Sequence, residues 1–169
     1  MVTGHKMGQR DIVGPMEHLM SKARQGFTLI EIMLVVAVIA VIAAIAIPNL
    51  LRSKLQANET SAVSDLRTIC AAQIAYSTSR LTFGDFTELV DEADGAGTSF
   101  LDASWFEGRV KAGYTFSIPI ADADVFTCFA DPLALGTTGS RYFRIDNSGV
   151  VRFDEAGRPG PDSPSLNES

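Results

Sequence analysis

From Phe27 to Ile47 the chain runs for 21 residues in which only Thr28 and Glu31 are not apolar. At about 1.5 Å per residue, a helix of that length reaches about 31 Å, the thickness of a bilayer's hydrocarbon. Lipid offers the backbone no hydrogen-bond partner, so even the many Val and Ile residues are held in a helix there. A secretory signal would be shorter and followed by a small-residue cleavage site. This run instead passes through Pro48-Asn49 into a long polar helical pattern. A core helix apolar on every side would need a larger domain to cover it than a chain of 169 residues supplies. The block reads as a membrane segment.

Charge and composition divide around it. The chain is 46% apolar with a net charge of −6, but outside the block the apolar share falls to about 40%, ordinary for a globular domain. Lys22 and Arg24 precede the block with no acid after Glu17, and basic flanks stay cytoplasmic. Arg52 and Lys54 on the far side partly balance them, and the acidic remainder is expected outside the inner membrane. That acidic balance, without a basic stripe interleaved with aromatics, argues against direct nucleic-acid binding.

Glu31 is the anomaly. A carboxylate inside a membrane segment costs up to a few kcal/mol, less near the end than at the midplane. Either it is protonated or snorkels at the headgroups, or it pairs with a cation. The block supplies no cation in cis, so a pairing partner must come in trans.

The run Gly26-Phe27-Thr28-Leu29-Ile30-Glu31, preceded by Lys22 and Arg24 and followed by apolar sequence to Pro48, closely resembles the N-terminal signature of type IV pilins and the related type II secretion pseudopilins. The match spans roughly Lys22 to Leu55. The resemblance implies cleavage between Gly26 and Phe27 by a membrane-embedded prepilin peptidase, which also methylates the new amino terminus at Phe27. It implies that Glu31 pairs with the Phe27 amine of a neighbouring subunit in a self-assembled helical filament. Such a buried ion pair is better at setting register than at adding stability. A motor ATPase and an inner-membrane assembly platform are implied partners, since the chain has no phosphate-cradling Gly loop of its own.

A leader of residues 1–26 is long for this family, and Met7, Met16 and Met20 are alternative starts; Met20 would give a leader of more usual length. Both histidines, His5 and His18, lie in the leader. Removing it leaves 143 residues with ten basic and eighteen acidic side chains and no His. Ser-His-Asp and Cys-His nucleophile systems, His general bases and His-ligated zinc are thereby excluded. We expect no enzyme, no cofactor and no metal.

Beyond the block, Pro48 removes a backbone donor and is expected to kink the helix without ending it. Leu51, Leu55, Ala62, Leu66, Ile69/Cys70 and Gln73/Ile74 recur at three- and four-residue steps, with Asn58, Glu59, Asp65 and Arg67 largely off that face. This predicts an amphipathic helix over 48–80. A connecting αβ-loop over 81–112 follows, with a short helix at Phe86–Glu92. Its acidic run Asp91-Glu92-Ala93-Asp94 and the later Asp122-Ala123-Asp124 are either divalent-cation sites or solvated loops; neither has EF-hand spacing, which favours loops. Alternation at Tyr114-Phe116-Ile118 and Arg141–Ile145, the β-rich run Val125–Ala130, and a turn at Asp146-Asn147-Ser148-Gly149 returning through Val150–Phe153 predict three or four antiparallel strands within 113–153. The class is therefore α+β: a long kinked N-terminal helix, membrane-spanning in its first half, packed on a small antiparallel sheet. Residues 154–169, rich in Gly and Pro, read as a coil tail.

Cys70 and Cys128 allow two readings: a disulfide in an oxidising compartment, or two buried free thiols. The sequence favours a structural filament subunit of the type IV pilus kind. A pseudopilin of type II secretion is the nearest alternative. Its main form carries an Asp-Pro-Trp-Gly-like run in a calcium loop, where this chain has Asp131-Pro132-Leu133-Ala134 and a distant Trp105. A membrane-tethered adhesion or binding module on the same kind of anchor is the alternative of another class.

Overall fold

The computed structural model describes residues 26–90, 99–105 and 110–167. The acidic run at Asp91–Asp94 lies outside the described residues. The chain divides into two compact units, one ending at Ile42 and the other beginning at Ala43.

Helix α1 runs Leu29–Arg80, with Pro48 inside it. Thr28 opens it: the Glu31 N–H donates to Thr28 Oγ1 at 3.2 Å and the Ile32 N–H to Thr28 O at 3.3 Å. Thr-x-x-Glu is the capping-box spacing, which satisfies a donor that the first turn would otherwise leave unpaired. The helix ends on Leu81, whose φ of 62° is left-handed and whose N–H closes on Ser77 O. Glycine is the usual residue there; a leucine costs on the order of 1 kcal/mol.

Five strands follow: β1 (Val110–Lys111), β2 (Tyr114–Ala121), β3 (Phe126–Pro132), β4 (Tyr142–Asp146) and β5 (Arg152–Asp154). They form an antiparallel meander in the order β1-β2-β3-β4-β5. The sheet thus has one strand more than expected. β1 is two residues long, joined to β2 by Ala112-Gly113, both at positive φ. That is a type I′ hairpin made with Ala instead of the usual Asn or Asp, so its sequence signal is weak. The β4–β5 turn falls on Asp146–Gly149, where Asp146 Oδ1 accepts the Ser148 N–H and only Gly149 takes the left-handed conformation. β5 begins two residues after the expected Val150.

Within the unit from Ala43 onward, α1 lies against the inner face of the sheet. Leu66 and Ile69 from α1 meet Tyr114, Phe116, Phe126, Cys128, Ala130, Phe143 and Ile145, all essentially buried. Alternation along β3 and β4 delivers every second residue to this core. Helix α2 (Phe86–Val90) opens on a reciprocal pair, the Asp85 N–H to Glu88 Oε2 and the Glu88 N–H to Asp85 Oδ1, both at 2.9 Å. Phe86 stacks on Trp105, which is met edge-on by Phe116 and covered by Lys111 Nζ at 3.4 Å.

The tail to Asn167 has no helix and yet is pinned. Arg152 and Ser165 form an isolated antiparallel bridge, and the Leu166 N–H donates to Val151 O at 3.1 Å. Arg158 Nε and Nη2 donate to the Asp131 carboxylate, and its guanidinium lies 4.8 Å over the Phe129 ring. Because the tail bonds along β5, at Val151, Arg152 and Phe153, it covers that part of the sheet edge.

Candidate functional site

The N-terminal segment is the first part of the site. Gly26, Phe27 and Thr28 precede α1 and are exposed. Among the described residues nothing stands within 4 Å of where a Gly26 side chain would project, so their packing places no constraint on a glycine there. Glu31 sits in the first turn, next to the positive end of the helix dipole. Leu29, Ile30, Ile32–Val36, Val38, Ile39, Val41, Ile42, Ile45 and Ile47 are all exposed. This stretch of α1 is long and apolar enough to cross a membrane, and none of that stretch is buried within the chain. An apolar surface this extensive on a single protein must be covered by lipid or by other chains.

The second part is the seam between α1 and the β3–β4 connection. Glu59, which periodicity placed off the packed face, is 6% exposed. Its Oε1 accepts the Ser140 N–H at 2.8 Å and the Ser140 hydroxyl, and its Oε2 accepts Arg141 Nε at 3.0 Å and Nη2 at 2.7 Å. Burial alone would raise its pKa; the Ser140 hydrogen bonds and the Arg141 guanidinium outweigh this and hold the carboxyl below the usual range. The preceding residue, Asn58, donates from Nδ2 to Thr138 O at 2.8 Å. Gly139 leaves room for the Tyr114 ring, whose hydroxyl donates to Arg141 O at 2.9 Å. Gly113 (φ 77°) lies so close to Thr138 that a Cβ would sit 2.7 Å from the threonine's own. Hydropathy periodicity cannot find Glu59, because a charged residue on a core stripe looks like a solvated one until its arginine appears 82 positions later.

The remaining expected residues fall as follows. Pro48 stands within α1 without ending it. Cys70, on α1, and Cys128, on β3, are both buried and both free thiols here. Burial pushes both thiol pKa values up, and Cys128 also feels Cys70. Ile74, offered as an alternative to Gln73, is exposed, while Gln73 is fully buried and holds Gly84 through both amide atoms. Asp122 Oδ1 accepts the Asp124 and Val125 N–H groups, the bonding of a tight polar turn, and these backbone donors lower its pKa. Among the described residues, no three His, Cys, Asp or Glu side chains gather as a metal site.

Residues 21–47 match the family described as the prokaryotic N-terminal methylation motif. A type IV major pilin protein, PilA of Myxococcus xanthus (strain DK1622), is 31% identical to the chain over 139 residues. That alignment takes in 80% of this chain and 61% of the pilin, so the chain spans about three-fifths of the relative's length.

Proposed function

We propose that this chain, similar to a type IV pilin, is a pilin-like structural subunit that is cut between Gly26 and Phe27, methylated on the Phe27 amine and assembled through its N-terminal helix into a pilus filament. The observation that carries this reading is the apolar run Phe27–Ile47, exposed in the single chain and opened by a carboxylate at Glu31. Before assembly, lipid covers the run as a single pass of the inner membrane, with the acidic head outside the cytoplasm. In the filament, other copies cover it, and Glu31 meets the Phe27 amine of a neighbour. A wrong register would leave both charges buried and unpaired, so the pair selects the right one. Prepilin peptidase, an assembly platform and a motor ATPase are the partners this requires.

The pilus reading is favoured over a secretion pseudopilus by the relative's name and by the use of Asp131, whose carboxylate is engaged by Arg158. The absence of His after residue 26 supports a structural role over a catalytic one. Processing is tested by Gly26→Val in the full chain. We expect the precursor to accumulate uncut in the membrane fraction, heavier than the mature chain by the leader mass. Normal maturation of the variant would refute cleavage at this bond.

A further inference from the structure

The bond proposed for cleavage joins Gly26 to Phe27, and both residues are exposed and lie outside any helix. Helix α1 starts only at Leu29, two residues after Phe27. The apolar run, by contrast, already starts at Phe27, and an apolar run in lipid satisfies its backbone by being helical. A local interaction must therefore hold the helix back from the first residues of the run.

That interaction is made by Thr28. The Glu31 N–H donates to Thr28 Oγ1 at 3.2 Å, and the first bond of helical type runs from the Ile32 N–H to Thr28 O at 3.3 Å. Were α1 to run back through Phe27, each N–H would instead take the carbonyl four residues before it. The Glu31 N–H would go to Phe27 O, and the Ile30 N–H to Gly26 O. Neither bond forms among the described residues. The Thr28 hydroxyl and the Phe27 carbonyl thus compete for one donor, and the hydroxyl holds it. The cap leaves the Gly26 carbonyl outside the helical ladder. Gly26 acts in the same sense, since glycine is a poor helix former. Hydrolysis needs that carbonyl open: the oxygen of a water joins the Gly26 carbonyl carbon, the bond to the Phe27 nitrogen breaks, and Phe27 leaves as an amine carrying the water's proton. Inside a helix the same carbonyl would be bonded along the axis and packed against the next turn, so the turn would have to open first.

We propose that Thr28 is a positioning residue for this cleavage: by capping α1 it stops the helix short of the Gly26–Phe27 bond and keeps the Gly26 carbonyl open to the peptidase. The inference rests on the cleavage reading and adds to it a side chain that lies beyond the bond itself. The Thr28 hydroxyl acts through the Glu31 N–H, by deciding which acceptor that donor takes.

The test follows processing of the full-length precursor in membranes that hold prepilin peptidase, read as the initial rate of conversion per precursor present in the membrane. Thr28→Val keeps the shape and removes the acceptor. Thr28→Ser and Thr28→Asn keep an acceptor on side chains of different shape, and both residues cap helices at least as well as threonine. Thr28→Val is expected to be cut about fivefold more slowly, the size of shift that loss of a cap brings to a local equilibrium, and Thr28→Ser and Thr28→Asn at about the parent's rate. In detergent micelles, the Cα carbon-13 shifts of Gly26 and Phe27 are expected to move toward helical values in Thr28→Val alone. Cleavage of Thr28→Val at the parent's rate would overturn the capping role. So would slow cleavage without the helical shifts, or slow cleavage of Thr28→Ser and Thr28→Asn as well, which would mean that the peptidase reads the threonine itself. A parent precursor left uncut between Gly26 and Phe27 would instead overturn the cleavage reading, so the two failures are told apart.

Discussion

Glu59 brings a negative charge into the seam between helix and sheet, and its environment decides whether that charge stabilises or breaks the head. All four of its bonds come from two successive residues, Ser140 and Arg141, so the carboxylate fixes one short stretch of chain. Glu59→Gln leaves Arg141 without its counter-ion in a half-buried site and is expected to cost about 2 kcal/mol. This would appear as a lower urea midpoint with unchanged slope for the chain in detergent; a shift below about 0.5 kcal/mol would show the clamp to be incidental. The lowered pKa also gives the sign of the pH response. Stability from this group is complete above the ordinary glutamate value near 4.3 and is lost as pH falls through it toward the folded-state value. The melting temperature should therefore fall below about pH 4 in the parent and much less in Glu59→Gln. Two glycines separate conformation from space. Gly113→Ala meets both a positive φ and the Thr138 side chain, whereas Gly149→Ala at φ 73° meets nothing within 4 Å. The first is expected to lose about 1–2 kcal/mol more than the second in the same unfolding measurement; equal losses would mean the Thr138 contact relaxes freely.

Among the elements, α1 was readable because two independent signals agree: an apolar run too long for a small core, and a three-to-four step of apolar residues past Pro48. The strands were readable wherever one face is buried, as in Tyr142–Asp146, where alternation is enforced by the helix beneath. β1 was not, because two residues carry no periodicity and its Ala112-Gly113 turn lacks the polar residue that marks such hairpins. The tail misled for the opposite reason. Its Gly and Pro content is that of coil, and no local pattern announces that Arg158 reaches across 27 positions to Asp131. Arg158→Ala is expected to change global stability by less than about 1 kcal/mol, since the pair is partly solvated, yet to raise amide exchange at Phe153 and Leu166, whose N–H groups bond between the tail and β5. Unchanged exchange at those amides would mean the bridge to Ser165 suffices alone. The cysteines, one on α1 and one on β3, were placed on facing layers by the same periodicity, but periodicity cannot say whether they are joined. The arrangement here requires two reactive thiols on unfolding without reductant, and none would mean a bridge between them.

For the whole molecule, the division of labour follows from where apolar surface is left uncovered. The head buries its own core, whereas the run from Phe27 to Ile47 is left exposed among the described residues. A helix that lipid can cover before assembly and sister helices can cover afterwards lets the same surface serve both states. Because lipid and neighbouring helices are comparably apolar, the transfer gains little from the hydrophobic effect, and packing and polar pairing must decide it. That makes Glu31 the residue on which the account turns: its Thr28 cap explains how the helix starts, but among the described residues nothing neutralises its charge within an apolar span. The most direct measurement is the yield of sheared surface filaments from Glu31→Ala, normalised to the amount of processed chain in the membrane. We predict normal insertion and cleavage with filament yield lowered at least about tenfold, as expected when one partner of a buried pair is removed. Filaments at the parent's yield would contradict the account.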